Sequence, residues 1–178
     1  IIFGRVGGSL NPIDLQTLSS TDGIIINGAE AGDNIGSSVS AAGDVNGDGF
    51  DDIIIGTFDA DKTRRNTYAS AGRSYIVFGS AANRGKPFDL RRLNGRNGFA
   101  ASDREANANS GFSVGSAGDF NGDGFDDALI TTQIQDSYDL FGGPSPRGPI
   151  PDFRTSLFNT DVGFSISPTV RADNVISS

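Results

Sequence analysis

The chain alternates short apolar runs with segments rich in glycine, asparagine and aspartate. Residues 36–43 alternate small polar and apolar side chains, whereas 52–56 and 73–79 are rich in β-branched and aromatic residues. Runs of this length and composition, bounded by turn residues, are typical of β-strands rather than of helices. We therefore predict strands at 24–27, 36–43, 52–56, 73–79, 99–101, 128–130 and 137–141, and one helical turn at 12–18.

An internal repeat organises these strands. Shifting residues 3–57 by 75 positions onto 78–132 gives 25 identities in 55 positions without a gap. A third copy starts at Phe141-Gly142 and returns at 163–166, which is similar to 111–114. The repeat divides the chain into tandem units at about 3–77 and 78–141, within residues 1–142. Residues 143–178 follow as a degenerate or truncated third unit with a proline-rich connection.

Each unit contains four short strands, at a period that is typical of a β-propeller blade. The predicted fold is therefore all-β, with propeller-type blades of four antiparallel strands. A closed propeller has at least four blades, so the two or three units of this chain predict an incomplete ring. We expect the recurring Phe50, Phe112, Phe125 and Phe164 to fill the blade cores, and the polar segment 58–72 to form a surface loop.

Composition narrows the chemistry that is open to the 178 residues. Cysteine, histidine, methionine and tryptophan are absent, which excludes disulfides, thiolate or imidazole zinc sites and histidine as a general base. Aspartate outnumbers glutamate by 20 to 2, and the net charge is −8. This charge argues against a nucleic-acid partner. No apolar run is long enough to span a bilayer, so we expect no membrane span.

The aspartates concentrate in two copies of a nine-residue motif, at 44–52 and 119–127. Positions 1, 3, 5 and 9 are Asp, Asn, Asp and Asp, position 7 is Phe, and glycine at position 6 permits a sharp bend. Side-chain oxygens at 1, 3, 5 and 9 and a backbone carbonyl at 7 can surround one hard cation, and calcium accepts such flexible coordination. An EF-hand is excluded because isoleucine stands at position 12 of both copies.

Two other interpretations of the motif are possible. The first is a pair of metal-free tight turns in which Asp and Asn side chains bind their own backbone. We favour the metal because four carboxylates in nine residues repel one another unless a cation compensates. The second is a catalytic carboxylate pair, as in glycosidases. We set it aside because every dense acid pair lies in one of the two turns.

The motif and its flanks resemble a known family. Phe-Gly after a strand, Gly-x-Ser-Val and Ala-Gly-Asp-x-Asn-Gly-Asp-Gly-Phe-Asp-Asp are similar to the FG-GAP repeats of the integrin α-subunit propeller. They are more similar still to those of large secreted bacterial, especially cyanobacterial, surface proteins. The resemblance implies a non-enzymatic, extracellular or cell-surface protein with calcium in the loop that joins the first two strands of a blade. By position it implies two calcium ions, held by Asp44, Asn46, Asp48, the Phe50 carbonyl and Asp52, and by Asp119, Asn121, Asp123, the Phe125 carbonyl and Asp127.

Three functions stay open on the sequence. We favour a calcium-binding adhesion or recognition module with a protein or glycan ligand. One alternative is a structural subunit of a calcium-stabilised homopolymer, a ring or filament, in which copies pair through open blade edges. The other is an accessory domain beside an enzyme outside these residues. In an integrin-like arrangement the Asp-rich turns lie on one face, and a partner binds the opposite face at 29–35, 58–72 and 103–110.

Overall fold

The computed structural model describes residues 1–4, 12–58, 71–83, 85–103, 108–133, 137–140, 142–143, 152–153 and 163–166. Within these residues there is no α-helix, and the prediction of an all-β protein is confirmed. The predicted helical turn is a short 3₁₀ helix at Leu15–Thr17, which begins where the Asp14 side chain accepts a hydrogen bond from the N–H of Gln16. Two further 3₁₀ helices lie at Ala81–Asn83 and Leu90–Arg92.

Eleven strands are present among the described residues. They are β1 (Ile26–Asn27), β2 (Ser38–Gly43), β3 (Asp52–Thr57), β4 (Arg73–Val77), β5 (Phe88–Asp89), β6 (Gly98–Asp103), β7 (Ser113–Gly118), β8 (Asp127–Thr131), β9 (Ser137–Leu140), β10 (Asp152–Phe153) and β11 (Gly163–Ile166). All seven predicted strands therefore form, and none of their bounds differs by more than two residues.

The first blade is the antiparallel sheet β2-β3-β4-β6, with β10 added in parallel beside β6. The second blade is the antiparallel sheet β7-β8-β9-β11. The first two strands of each sheet pair at equivalent residues. Ser38 pairs with Gly56 and Gly43 with Asp52 in the first blade, and the residues 75 positions later form the same pairs in the second. The sequence repeat is thus also a structural repeat of two open, propeller-like blades.

The fourth strand of each blade comes from the unit that follows it in the sequence. Gly98 of β6 pairs with Val77, and Gly163 of β11 pairs with Leu140 in the same way. Strand β11 therefore occupies the position of β6. The match of 163–166 to 111–114, which lead into β7, was wrong about its place in the blade. The short Gly-Phe sequence fits both positions, and the pairing with β9 decides between them.

The residues before β2 repeat part of this pattern. An isolated antiparallel bridge joins Ile2 to Gly23, exactly 75 positions before the pair of Val77 and Gly98. Strand β1 covers only the second half of the predicted strand at 24–27, and Ile24 before it exchanges hydrogen bonds with Ile1. Strand β1 then pairs in parallel with β5, as β6 pairs with β10.

The two blades share one hydrophobic core. Strand β7 packs against β2 without hydrogen-bonding to it in a sheet, and Val114, Ala128 and Ile130 of the second blade meet the buried face of the first. The first blade contributes Ala42, Val45, Ile54, Ile76, Phe78, Phe99 and Ala101 to this cluster. A second cluster on the other face of the first blade contains Ile55, Tyr75, Val77, Leu90 and Ala100.

None of the recurring phenylalanines whose side chains are described belongs to these two clusters. Phe50 is 46% exposed and Phe112 is 49% exposed, so their prediction as core residues was wrong. Phe50 follows the Asp-rich loop rather than standing in a strand, and its burial depends on a neighbouring loop. Phe125, at the equivalent position, is half-buried because it has such a neighbour. The side chain of Phe164 lies outside the described residues.

Candidate metal centre

Both Asp-rich motifs occupy the same position in their blades. Residues 44–51 join β2 to β3, and residues 119–126 join β7 to β8. Position 9 of each motif, Asp52 or Asp127, is the first residue of the following strand. The loops therefore connect the first two strands of each blade, as the resemblance implied.

In the first loop, three side chains are gathered onto one tight turn. Asp44 Oδ1 accepts hydrogen bonds from the N–H groups of Gly47 and Asp48, at 2.8 and 3.0 Å, and its Oδ2 accepts from Gly49 at 2.8 Å. Asn46 Oδ1 accepts from the same Asp48 N–H at 2.9 Å. The Asn46 amide in turn donates to Asp48 Oδ2 at 3.1 Å. Motif positions 1, 3 and 5 thus converge on one short stretch of backbone.

The second loop repeats this arrangement. Asp119 Oδ1 and Asn121 Oδ1 both accept from the Asp123 N–H at 2.9 Å, and Asp119 Oδ2 accepts from Gly124 at 3.0 Å. The Asn121 amide donates to Asp123 Oδ2 at 2.9 Å. Asp48 Oδ1 accepts from the Phe50 N–H, and Asp123 Oδ1 accepts in the same way from Phe125. The same sequence has folded into the same loop twice.

The carboxylate at position 9 is buried and anchors each loop to the blade. Asp52 is 1% exposed; its Oδ2 accepts from the Val45 N–H at 3.0 Å and its Oδ1 from the Gly79 N–H at 2.8 Å. Asp127 is fully buried and accepts from Phe120 at 2.9 Å and from Gly142 at 2.7 Å. Each of these aspartates therefore ties its loop to the Phe-Gly dipeptide that follows β4 or β9.

The glycine of that dipeptide is a site residue that the sequence analysis did not assign. A Cβ atom built on Gly79 would overlap the carbonyl oxygen of Asp51, and one on Gly142 would overlap that of Asp126. Only glycine lets the backbone come close enough for its N–H to reach the buried carboxylate. The signal was available, because Phe-Gly recurs at 3–4, 78–79 and 141–142.

Negative charge is concentrated around the first loop. The pKa of Asp52 is raised to about 7, mainly by burial and to a smaller extent by the nearby carboxylates of Asp48 and Asp44. The N–H groups of Gly79 and Val45 act in the opposite direction, because they stabilise the charged form. The carboxylates of Asp44 and Asp48 thus disfavour the ionisation of Asp52.

The donor atoms fit a hard cation by their chemistry. Among the described residues no three acidic side chains meet in a ready-made metal cluster, because the carboxylates point toward backbone N–H groups. Each carboxylate oxygen that accepts one such bond retains a second lone pair. The set of Asp, Asn and carbonyl oxygens is the type that calcium prefers. Local side-chain-to-backbone bonding and metal binding are therefore compatible uses of the same loop.

The two loops also contact each other. Asp126 Oδ2 accepts a hydrogen bond from the Asp44 N–H at 2.8 Å. A Cβ atom built on Gly47 would overlap the Phe125 ring, which shows how closely that ring lies on the first loop. Asp126 was assigned no role from the sequence, although the Asp-Asp pair recurs at 51–52 and 126–127. The second loop thus rests on the first through Phe125 and Asp126.

The opposite end of the blades carries the other connections. Strands β2 and β3 are antiparallel, so the turn before β2 and the residues around 58 and 71 lie far from the Asp-rich loops. Gly72 forms a bridge with Ser110, and Ser110 donates from its N–H to the carbonyl of Ala71 at 2.9 Å. Residues 59–70 and 104–107 of the predicted binding face lie outside the described residues.

Four-stranded open blades with an Asp-rich loop between the first two strands define an all-β, propeller-like protein. Residues 35–77 match the family model of the FG-GAP repeat, which covers the span from the turn before β2 to the end of β4. This stretch of the chain is an FG-GAP repeat, as predicted. The closer likeness to bacterial surface proteins stays a prediction.

FG-GAP repeats occur in extracellular adhesion and recognition domains, which are non-enzymatic and generally bind protein ligands. A comparison of the chain with curated proteins finds no match. No helix among the described residues is long and apolar enough to cross a membrane.

Proposed function

We propose that this chain is a calcium-binding, extracellular adhesion or recognition module without enzymatic activity. One observation carries the proposal, which is that the same loop conformation occurs twice. In each loop two side-chain oxygens, from Asp44 and Asn46 or from Asp119 and Asn121, accept the same backbone N–H. A repeated, pre-organised set of oxygen donors supports a repeated cation site.

The residues would act as follows. Calcium would be held by oxygens of Asp44, Asn46, Asp48, the Phe50 carbonyl and Asp52, and would neutralise the charge of the loop. The second motif offers the same five positions 75 residues later. Because Asp52 begins β3 and binds the N–H of Gly79, it links the loop to two strands of the blade. Calcium binding would thereby stiffen this end of the blade.

By this proposal, a protein or glycan is recognised at the end of the blades that lies opposite the Asp-rich loops. The connections there vary in length between the two units, since 15 residues separate β3 from β4 and 5 separate β8 from β9. Variable loops on a repeated scaffold are the usual place for binding residues. Deleting Asp61–Ala69 should therefore remove binding to an array of purified matrix proteins and glycans while calcium uptake stays unchanged. Unchanged array binding after the deletion would place recognition elsewhere.

Calorimetric titration of the chelator-treated chain with calcium chloride tests the metal site. We expect two ions per chain, with a dissociation constant in the range of about 10⁻⁴–10⁻³ M that is usual for extracellular modules. Asp44→Ala and Asp119→Ala should each remove one ion and leave the other. Asp51→Ala removes the same charge from the first loop without removing a proposed ligand, and should retain both ions. A stoichiometry of zero for the unaltered chain would refute the proposal.

The second candidate function is a structural subunit that assembles with other copies of itself. The observation that favours it is the exposure of large apolar side chains on both outer sides of the blade pair. Val39 is 58% exposed on the first blade, and Phe120 is 63% exposed on the second. Large apolar side chains that are exposed on two different sides of a molecule suggest a contact between copies.

A further inference from the structure

Residues 1–4 and 23–27, which we call the half-blade, repeat the third and fourth strands of a blade. Within the half-blade Ile2 pairs with Gly23, as Val77 pairs with Gly98 75 positions later. Val77 also pairs with β3 on its other side, whereas no described residue pairs with Ile2 there. The half-blade therefore has an open strand edge where a complete blade has its first hairpin, which is β2 to β3 or β7 to β8 with the Asp-rich loop between them.

A backbone N–H group that holds the first hairpin in both complete blades has no such partner in the half-blade. The Gly79 N–H donates to the buried carboxylate of Asp52, and the Gly142 N–H donates to that of Asp127. Gly4 has the same position in the half-blade, and its N–H bonds to no described residue. A Cβ atom built on Gly4 meets no described atom within 4 Å. The carboxylate-binding position of the half-blade is thus open.

The front of the first blade, which we define by Val39 and Phe50, is exposed beside the half-blade. Val39 is 58% exposed and Phe50 is 46% exposed. Their counterparts in the second blade are better covered, since Val114 is 9% exposed and Phe125 is half-buried. The first hairpin of the preceding blade provides that cover, because Phe125 lies on Gly47 and β7 packs against β2. Among the described residues no hairpin covers the front of the first blade in this way.

An apolar cavity of about 220 Å³ lies between the half-blade and the first blade. Its lining includes Ile1, Ile24 and Ile26 of the half-blade and Ile53 of the first blade. The half-blade residues correspond to members of the core shared by the two blades, to which the first hairpin contributes Ala42, Val45 and Ile54. No described residue supplies the counterparts of these three side chains. The cavity is therefore the space in which a hairpin would bury them.

We propose that the half-blade and the front of the first blade form a docking site for the first hairpin of another FG-GAP unit. The second strand of that hairpin adds to the open edge at Ile2 by backbone pairing. An apolar side chain at motif position 2 fills the cavity, as Val45 does in the shared core, and an aspartate at position 9 accepts from the Gly4 N–H. The occupant is a hairpin and not a complete blade, because the half-blade already fills the third and fourth strand positions.

Two further groups make the site specific for a hairpin with an Asp-rich loop. In the contact between the blades, Asp126 accepts from the N–H at motif position 1, and the Gly143 N–H donates to the carbonyl at position 2. Their counterparts on the first blade are Asp51 and Ser80, and both line the cavity. Neither the Asp51 carboxylate nor the Ser80 N–H bonds to a described residue. A docked Asp-rich loop thus finds the same two contacts that the first loop has with the second blade.

A labelled peptide of residues 36–57, which contains the chain's own first hairpin, is the probe. Fluorescence anisotropy measures its binding to the 178-residue chain at concentrations up to about 1 mM, in calcium and in chelator. In the peptide, Val45→Glu places a charge in the cavity, whereas the matched control Val39→Glu places it on the outer face of the docked hairpin. In the chain, Val39→Glu blocks the front, and the control Leu15→Glu changes a side chain that is 68% exposed and lies outside the site.

A fused version of the probe is needed because an isolated hairpin is marginally stable in water. The peptide is joined to Ile1 by a Gly/Ser linker as long as segment 58–75, which separates the corresponding residues in the first unit. Hydrogen exchange then reports on docking of the free or the fused hairpin. The amides of Ile2, Gly4 and Ser80 should become protected, whereas that of Gln16, which is bonded to Asp14, should not change. Circular dichroism checks that each chain variant is folded.

We expect one-to-one binding of the peptide to the unaltered chain and to Leu15→Glu. Binding should be at least about tenfold weaker for the chain variant Val39→Glu and for the peptide variant Val45→Glu. Unchanged exchange at the three amides with both the free and the fused hairpin, or equal binding of the two peptide variants, would overturn the proposal. Docking in chelator supports it even where calorimetry finds no calcium uptake, because none of these contacts includes the cation.

Discussion

The carboxylate of Asp126 accepts a hydrogen bond from the backbone N–H of Asp44, at 2.8 Å and across the boundary between the two blades. The N–H of Asp126 donates in return to the carbonyl of Asp44 at 3.2 Å. This reciprocal pair joins two loops that are 75 residues apart in the repeat. Each Asp-rich loop is therefore part of the contact between blades as well as a candidate cation site.

The Asp126–Asp44 contact predicts an asymmetry between two equivalent aspartates. Asp126→Ala should lower the free energy of unfolding by about 1–3 kcal/mol, because it removes a hydrogen bond to a charged group and leaves a partly buried N–H without its partner. Asp51→Ala is the matched control, since Asp51 is exposed and its removal should cost under about 0.5 kcal/mol. Urea denaturation at a concentration where the chain is monomeric measures both. Equal losses would contradict a bridging role for Asp126.

The Phe125 ring over the first loop predicts a second matched pair. Gly47 and Gly122 have nearly the same backbone φ, +75° and +77°, so alanine is strained at either position by about 1–2 kcal/mol. At Gly47 the new methyl group also overlaps Phe125, whereas at Gly122 it meets open space. Gly47→Ala should therefore be less stable than Gly122→Ala by about a further 1–3 kcal/mol, as in overpacked cores. Urea denaturation of the two variants side by side gives this difference, and similar midpoints would show that the ring moves aside freely.

Local sequence was sufficient to predict the strands and the loops. The β-branched run at 53–55 lies in an inner strand of the first blade. The two copies of the repeat form two sheets whose strands pair at equivalent residues. The Asp-rich motif was placed correctly between the first two strands of each blade, because its turn chemistry is local. Side chains of Asp and Asn that bind backbone N–H groups within five residues need no distant partner.

Features that depend on contacts between residues far apart in the sequence could not be predicted. Phe50 and Phe125 have the same neighbours in sequence, but within the described part of the chain only Phe125 has a loop to pack on. The place of 163–166 in the blade was likewise decided by pairing with β9 and not by its own four residues. The sequence predicted a strand at 99–101 only, which is shorter than β6. Strand β6 forms in full because β4 offers it a complete hydrogen-bonding edge.

Calcium should stabilise the chain through two sites, each of which contributes independently. With a dissociation constant of about 10⁻⁴ M and about 1 mM calcium, each filled site adds about 1.4 kcal/mol by mass action. The unaltered chain should therefore be about 2.8 kcal/mol more stable in calcium than in chelator, and Asp119→Ala should lose about half of this increment. The comparison is made by urea denaturation of each protein in both buffers, which cancels the direct cost of the substitution. If calcium leaves the midpoint of the unaltered chain unchanged, neither loop is a calcium site.

Alkaline pH should destabilise the chain through Tyr75. This side chain is 2% exposed, and burial raises its pKa above the ordinary value of about 10, although the Arg73 guanidinium, which donates to its Oη at 3.3 Å, acts in the opposite direction. The folded state then keeps the phenolic proton at a pH where the unfolded chain has released it. Because the unfolded state binds fewer protons there, the free energy of unfolding falls as the pH rises above about 10.

Tyr75→Phe isolates this effect, since it keeps the buried ring beside Arg73 and removes only the titrating hydroxyl. Urea midpoints measured from about pH 8 to about pH 11 should fall less steeply for Tyr75→Phe than for the unaltered chain. The other two tyrosines and both lysines are present in both proteins, so their contribution cancels in the comparison. The difference between the two slopes therefore reports on Tyr75 alone, and parallel slopes would mean that its hydroxyl ionises as readily in the folded state as in the unfolded one.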